Sequence, residues 1–209
     1  MWQVPLGLSL IVLAIAAMGT WGRDSFQYLG PQLSGKGFAN HYRWISGHFT
    51  HLGWSHMTLN VIGMLSVWWL YGRYLTRELW IIFILICAFG ISLGLYFLSP
   101  HVDYYVGLSG VLHGMLSAGV TLALLENFKS KNRLKETASI SWEELFVLLG
   151  LWGKIAYEQI AGSLPITTKI AGNTVIVETH LYGAIIGCVF TIILQIASSL
   201  LKALLALKK

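Results

Sequence analysis

Long apolar stretches alternate with short polar ones along the whole chain, at a spacing typical of membrane-spanning helices. A helix needs roughly twenty consecutive, largely apolar residues to cross the hydrocarbon core of a bilayer. Six segments meet or approach this length: Val4–Trp21, His51–Tyr71, Leu79–Phe97, Leu108–Leu125, Leu145–Ile160 and His180–Leu201. The pattern predicts an all-α fold, with residues 1–209 forming one polytopic membrane domain of six transmembrane helices.

The fifth segment is the least apolar of the six because it carries Lys154 and Glu158. These residues are four positions apart, so they lie on one helical face, where they can form an ion pair. The start of the segment is well marked, since Ser141, three residues before Glu144, fits an S-x-x-E capping box. We therefore interpret this segment as a helix despite its charges.

Composition agrees with a membrane protein. The 209 residues are 56% hydrophobic and 11% charged, whereas a soluble domain carries about 25% charged residues. The net charge is +5, but the basic residues are not gathered in one patch, which argues against a nucleic-acid partner.

Cys87 and Cys188 both fall within apolar segments. A disulfide would require their Cα atoms to lie close together, and buried free thiols are the simpler expectation.

The distribution of Lys and Arg orients the predicted spans. If successive spans cross the membrane in opposite directions, the loops after spans two and four and the C-terminal tail lie on the same side. These segments carry nine basic residues, and the opposite loops carry four. Cytoplasmic loops are enriched in Lys and Arg, so both termini are predicted to be cytoplasmic. The first segment lacks the basic n-region of a signal peptide, which favours a retained span.

Four polar residues share one depth in this topology, at the outer ends of three spans. Ser109 begins span four and His180 begins span six, while His56 and Asn60 lie on one face of span two. Each has a structural explanation by itself: serine is common in membrane helices, histidine often meets the interface, and asparagine hydrogen-bonds between helices. Their agreement in depth favours a shared site.

Glycines beside Ser109 give a physical reason for that site. Two GxxxG motifs are present, Gly110/Gly114 on span four and Gly183/Gly187 on span six. Small residues at this spacing let two helices approach closely. Close packing of these two spans serves ordinary helix association, and it would also bring the Ser109 hydroxyl within about 3 Å of His180.

This pairing predicts that Ser109 is a nucleophile and that His180 is its general base, acting on a peptide carbonyl. The oxyanion that forms requires hydrogen-bond donors. Backbone N–H groups at the start of span four, beginning at Leu108, and the side chains of His56 and Asn60 are candidates for them.

The acids of the outer loops show no pattern that would complete a triad; they are Asp24, Asp103 and Glu178. We therefore predict a Ser-His dyad that uses no metal and no cofactor.

Three motifs carry these residues: His51-x4-His56-x3-Asn60, Gly107-x-Ser109-Gly110 and His180-x2-Gly183-x3-Gly187. Together they resemble the rhomboid family of intramembrane serine proteases. The resemblance implies the roles given above for Ser109, His180, His56 and Asn60, and it implies that His51 helps to order the site. Tyr42-Arg43 stands where many rhomboids carry a Trp-Arg pair, so that match is partial.

His113 departs from the pattern of many bacterial rhomboids, which carry an aromatic residue four positions after the serine, stacked on the catalytic histidine. The run from Gly107 to Gly114, with the small size of the chain, resembles the rhombosortase branch of the family. In that branch the substrates are secreted proteins ending in a Gly-Gly motif, an apolar helix and a basic tail. His113 is then expected either to contact His180 or to make a polar contact within the bundle. The implied location is the bacterial inner membrane, with the site opening to the periplasmic side.

Other classes of function are less consistent with the sequence. A metalloprotease using His48, His51 and His56 would lack the H-E-x-x-H motif. An aspartyl intramembrane protease fails because Asp24 and Asp103 both lie in loops. A transporter would place ionisable groups along a path through the midplane. The remaining alternative is a catalytically silent rhomboid-like protein that binds transmembrane helices, although such relatives lack the serine or the histidine.

Overall fold

The computed structural model describes residues 2–33, 40–134, 141–172 and 175–207, and only the backbone at 128–134, 170 and 171. Within these residues the chain is helical apart from loops and one short antiparallel sheet. The helices are α1 Gln3–Ala17, α2 Gly19–Phe26, α3 Arg43–Ser46, α4 Trp54–Tyr71, α5 Arg77–Leu98, α6 Ser109–Leu134, α7 Trp142–Ala161, α8 Pro165–Ala171 and α9 Glu178–Ala206. The strands are β1 Tyr28–Leu29 and β2 Tyr104–Tyr105, with Tyr28 opposite Tyr105.

A helix occupies the position of each predicted span, and the helical fold class is confirmed. By length and composition, three helices in the described part of the chain can cross a membrane: α5, the Ser109–Asn127 part of α6, and α9. Helix α4 falls short because His56 and Asn60 lower its mean hydropathy, and α7 falls short because it carries four charged residues. The structure therefore supports a membrane protein with three or four apolar spanning helices.

The first predicted span, Val4–Trp21, was wrong as a continuous helix. Helix α1 ends at Ala17, and α2 leaves it at an angle of 113°. Gly19 adopts a positive φ of 62°, a conformation that favours glycine and breaks the helix between the two segments. The two helices together still satisfy the length and composition of one span.

The centre of the fold is the close packing of α6 against α9, as the glycine motifs predict. A Cβ added at Gly183 would meet the backbone of Gly110 and Gly114, and one added at Gly187 would meet the backbone of Gly114 and Ala118. The helix axes are therefore as close as backbone contact allows. Both helices start at the same end of the bundle, which places Ser109 near His180.

The connection before α4 is tied to the rest of the bundle by polar contacts. The Arg43 guanidinium donates to the carbonyl oxygens of Asp24 and Gln27, at 2.8 and 3.1 Å. The β1–β2 sheet then joins this connection to the segment just before Ser109. Cys87 and Cys188 are free thiols; Cys87 is buried, as expected, and Cys188 is partly buried. Of the basic loop residues that were counted to orient the spans, four lie outside the described residues: Lys36, Lys135, Lys208 and Lys209.

Candidate active site

A fixed backbone turn presents Ser109 at the first position of α6. Gly107 has a φ of 129°, which L side chains rarely adopt, and a Cβ there would lie 2.9 Å from the His56 ring. Its N–H donates to the Gly47 carbonyl oxygen at 3.1 Å, and its carbonyl oxygen accepts from the Tyr105 hydroxyl. Glycine is therefore required at position 107, and the turn that leads into Ser109 is held from both sides.

The structure brings Ser109 and His180 together from α6 and α9. Ser109 Oγ lies 3.0 Å from His180 Nε2, within hydrogen-bonding distance, although the residues are 71 positions apart in the chain. The His180 side chain is buried, with 3% of its surface exposed. A hydroxyl hydrogen-bonded to an unprotonated imidazole nitrogen is the geometry needed for a serine nucleophile with a histidine base.

His113 stacks on His180, one of the two outcomes expected for it. The ring centroids are 4.0 Å apart and the planes differ by 13°. His113 Nδ1 also lies 2.7 Å from the Ser109 carbonyl oxygen. Because a carbonyl only accepts, Nδ1 of His113 carries the proton in this contact. The stack fixes the plane of the His180 ring.

A carboxylate contacts the other ring nitrogen of His180. This differs from the prediction, which was a dyad without an acid. Glu158 Oε2 lies 2.8 Å from His180 Nδ1, and Glu158 is almost completely buried. Lys154 Nζ lies 2.7 Å from Glu158 Oε1, so the predicted ion pair on α7 is present. The acids of the outer loops do not take this position.

The residues predicted to bind the oxyanion lie beside the turn at Gly107. His56 and Asn60 both approach the position that a Gly107 Cβ would take. His56 Nδ1 and Asn60 Nδ2 are buried without a hydrogen-bond partner among the described residues. Leu108 is buried immediately before Ser109. The rings of His51 and His56 are in edge contact, with their centroids 5.0 Å apart.

A cavity of about 640 Å³ opens onto Ser109 at this end of the bundle. Its walls come from four regions of the chain: Leu52 and His56, residues 101–106, residues 161–163, and residues 175–178. Water and an extended peptide segment can both be accommodated in a space of this size. Two of the predicted site residues, Ser109 and His56, therefore line a cavity that is open at the surface of the protein.

His113, Glu158 and His180 are also the candidate metal ligands among the described residues, since their ligand atoms all lie within 4.8 Å of one another. Lys154 Nζ lies 3.0 Å from His113 Nε2, 2.7 Å from Glu158 and 3.5 Å from His180 Nδ1. The ammonium group of Lys154 therefore lies at the centre of these three side chains and leaves little room for a metal ion.

His48, one of the three histidines of the alternative zinc site, makes a hydrogen-bonding contact with α5. His48 Nε2 lies 3.1 Å from Ser92 Oγ, and the Ser92 hydroxyl in turn donates to the Trp44 carbonyl oxygen. Burial lowers the pKa of His48 to about 3, so its imidazole is neutral. Its ring packs beside Tyr105. His48 therefore stabilises the connection on which the Gly107 turn rests.

Glu158 and Lys154 are the residues that motif-based reasoning missed. A signal was present, because ionisable residues inside a membrane span are expensive and generally face a functional site or a partner. The i,i+4 spacing explains how the two charges pair with each other. It does not indicate that the pair faces His180.

Comparison with known proteins agrees with this geometry. The family model described as Rhomboid domain matches residues 39–196, which include every residue of the site described above. No curated protein matches the chain. The match covers well over half of the sequence, from the first loop to the C-terminal helix. The chain therefore belongs to the rhomboid family and is a multi-pass membrane protein of an intramembrane-protease type.

Proposed function

We propose that this rhomboid-family chain is an active serine endopeptidase that cleaves membrane-anchored proteins near the outer face of the bilayer. The observation that carries the proposal is the 3.0 Å contact between Ser109 Oγ and His180 Nε2 at the end of an open cavity. Some members of the family are inactive because they lack one of these two residues. Both are present here, in hydrogen-bonding contact.

The reaction follows from the contact between the Ser109 hydroxyl and His180 Nε2. Ser109 Oγ attacks the carbonyl carbon of the scissile peptide, and its proton passes to His180 Nε2. His56, Asn60 and the backbone N–H groups beginning at Leu108 donate to the oxyanion. The C–N bond then breaks as His180 returns the proton to the leaving nitrogen. Water from the cavity hydrolyses the acyl-enzyme, with His180 taking the water proton and restoring the Ser109 hydroxyl.

The proposed topology has six spans, with both termini in the cytoplasm and residues 1–209 forming one domain. It is supported by the helices at the six predicted positions, of which the first holds the bent pair α1 and α2, and by the excess of basic residues on one side. In a bacterial inner membrane this topology opens the cavity to the periplasm.

The narrower proposal is that the substrates carry a C-terminal Gly-Gly motif, an apolar helix and a basic tail, as for rhombosortases. It is supported by the run from Gly107 to Gly114 and by the stacking of His113 on His180, where many bacterial rhomboids stack an aromatic residue. No cofactor takes part in the proposed reaction.

The test is co-expression of the full chain with two reporters, one bearing such a tail and one an unrelated single-span protein. We expect cleavage of the tailed reporter, no cleavage by Ser109→Ala or His180→Ala, and a marked loss with Asn60→Ala. Cleavage of the unrelated reporter alone would retain the protease and refute the narrower substrate class. Cleavage that persists in Ser109→Ala would refute the catalytic assignment. If neither reporter is cut and Ser109 does not react with a fluorophosphonate, the chain is a silent helix-binding relative.

A further inference from the structure

Two charged side chains from α7 reach His180 on the side opposite Ser109. Glu158 accepts from His180 Nδ1 at 2.8 Å, and its other carboxylate oxygen lies 2.7 Å from Lys154 Nζ. Glu158 is 1% exposed. Removing charges from water is strongly unfavourable unless their partners are well placed. A chain that needed α7 only as a membrane span would have apolar residues at both positions.

The hydrogen bonds around this pair fix the tautomers of both histidines. His180 Nδ1 must donate to the Glu158 carboxylate, which leaves Nε2 unprotonated and facing the Ser109 hydroxyl. His113 Nδ1 must donate to the Ser109 carbonyl oxygen, which leaves its Nε2 to accept from Lys154 at 3.0 Å. Lys154 Nζ and His180 Nδ1 are both donors, so their 3.5 Å separation is proximity without a hydrogen bond.

Packing of α7 explains how these side chains are placed. Leu151, Ile155 and Glu158 are buried and follow one another at helical spacing on one face. Leu151 and Ile155 pack with Ala184 of α9, one turn from His180. Most of the rest of α7 is exposed, with Phe146 and Ile160 among its most exposed residues. The buried stripe therefore turns the charged pair toward the histidines.

We propose that Glu158 and Lys154 are positioning residues that convert the Ser109–His180 pair into a charged catalytic network. Glu158 holds His180 in the tautomer that accepts the Ser109 proton, and it stabilises the imidazolium that forms. Lys154 balances the Glu158 charge and holds His113 in the stack. This inference rests on the proposed function of Ser109 and His180.

The first test is the rate at which a fluorophosphonate labels Ser109 in the purified full-length protein, measured against probe concentration and normalised to folded protein. In Glu158→Gln the carboxylate is lost, and the Lys154 ammonium is left uncompensated beside His180. We expect the maximal labelling rate to fall by about a hundredfold or more, with the half-saturating probe concentration almost unchanged. Glu143→Gln is the matched control on the exposed start of α7, and we expect it to label at the wild-type rate.

The double variant Lys154→Met/Glu158→Gln leaves no buried charge unpaired, so it tests the network even if Glu158→Gln does not fold. We expect it to label faster than Glu158→Gln, because the repelling cation is gone, yet at least about tenfold more slowly than wild type. Wild-type labelling rates per folded molecule in these variants, with only the melting temperature lowered, would make the pair structural and overturn the inference. Absence of labelling in the wild-type protein would instead overturn the proposed function itself.

Discussion

Replacing Gly183 with alanine tests whether backbone contact between α6 and α9 sets the geometry of the site. The new Cβ would lie 2.9 Å from the Gly110 carbonyl carbon and 3.3 Å from the Gly114 nitrogen, with the Gly110 oxygen closer still. Ordinary carbon contacts lie at about 3.5 to 4.0 Å. These are backbone atoms, so no side-chain rotation relieves the clash, and the helices must separate by on the order of 1 Å.

That separation acts directly on the candidate catalytic contact. Ser109 precedes Gly110 by one residue, and His180 precedes Gly183 by three. A shift on the order of 1 Å would therefore break the hydrogen bond between Ser109 Oγ and His180 Nε2, which is 3.0 Å long. A misplacement of this size costs about a hundredfold in rate. Overpacking of this kind also destabilises the fold by about 1–3 kcal/mol.

The assay is fluorophosphonate labelling of Ser109 combined with thermal unfolding in detergent. Gly150→Ala and Gly153→Ala on α7 are matched controls, because a Cβ at either position meets nothing within 4 Å. We expect both controls to keep wild-type labelling, with unchanged or slightly higher melting temperatures. If Gly183→Ala labelled at the wild-type rate and unfolded at the wild-type temperature, the glycine contact would not determine the site.

Three further predictions concern residues around this contact. Gly107→Ala should reduce labelling by about fivefold or more, since a positive φ and a clash with His56 together cost about 1–3 kcal/mol. Wild-type labelling of this variant would contradict the prediction. His113→Phe keeps a ring on His180 and should label within about tenfold of wild type, whereas His113→Ala should label more slowly than His113→Phe. The unfolded chain protonates His48 near pH 6.5 but the folded chain only near pH 3, so acid should lower the melting temperature across that interval. His48→Gln should show a smaller decrease over the same range, and an identical decrease would assign the acid sensitivity to other groups.

Features of the fold that depend on local spacing were predictable from the sequence. The glycine motifs at Gly110 and Gly183 specify which two helices touch, because backbone contact tolerates no side chain. Once that contact is given, the positions of Ser109 and His180 at the starts of their helices follow. The apolar segments located the starts of the helices to within three residues, because a membrane span needs a continuous apolar run.

Features that depend on the rotation or bending of a helix were not predictable in this way. Lys154 and Glu158 share a face of α7, but their spacing does not specify which neighbour that face meets. The buried stripe through Leu151 and Ile155 settles it, and those residues are no more apolar than others on the helix. The break at Gly19 was missed because one glycine in an apolar helix usually continues it.

The site thus depends on two kinds of contact that different variants can separate. Backbone contact between α6 and α9 sets the distance from Ser109 to His180 and involves no charged group. The charged pair on α7 orients His180 without forming that contact. Changes at Lys154 and Glu158 should therefore alter the rate while leaving Ser109 and His180 in place, whereas changes at the glycines between α6 and α9 should alter both rate and stability. If the two groups of variants showed the same defects, α7 would be needed to assemble the pair rather than to orient it.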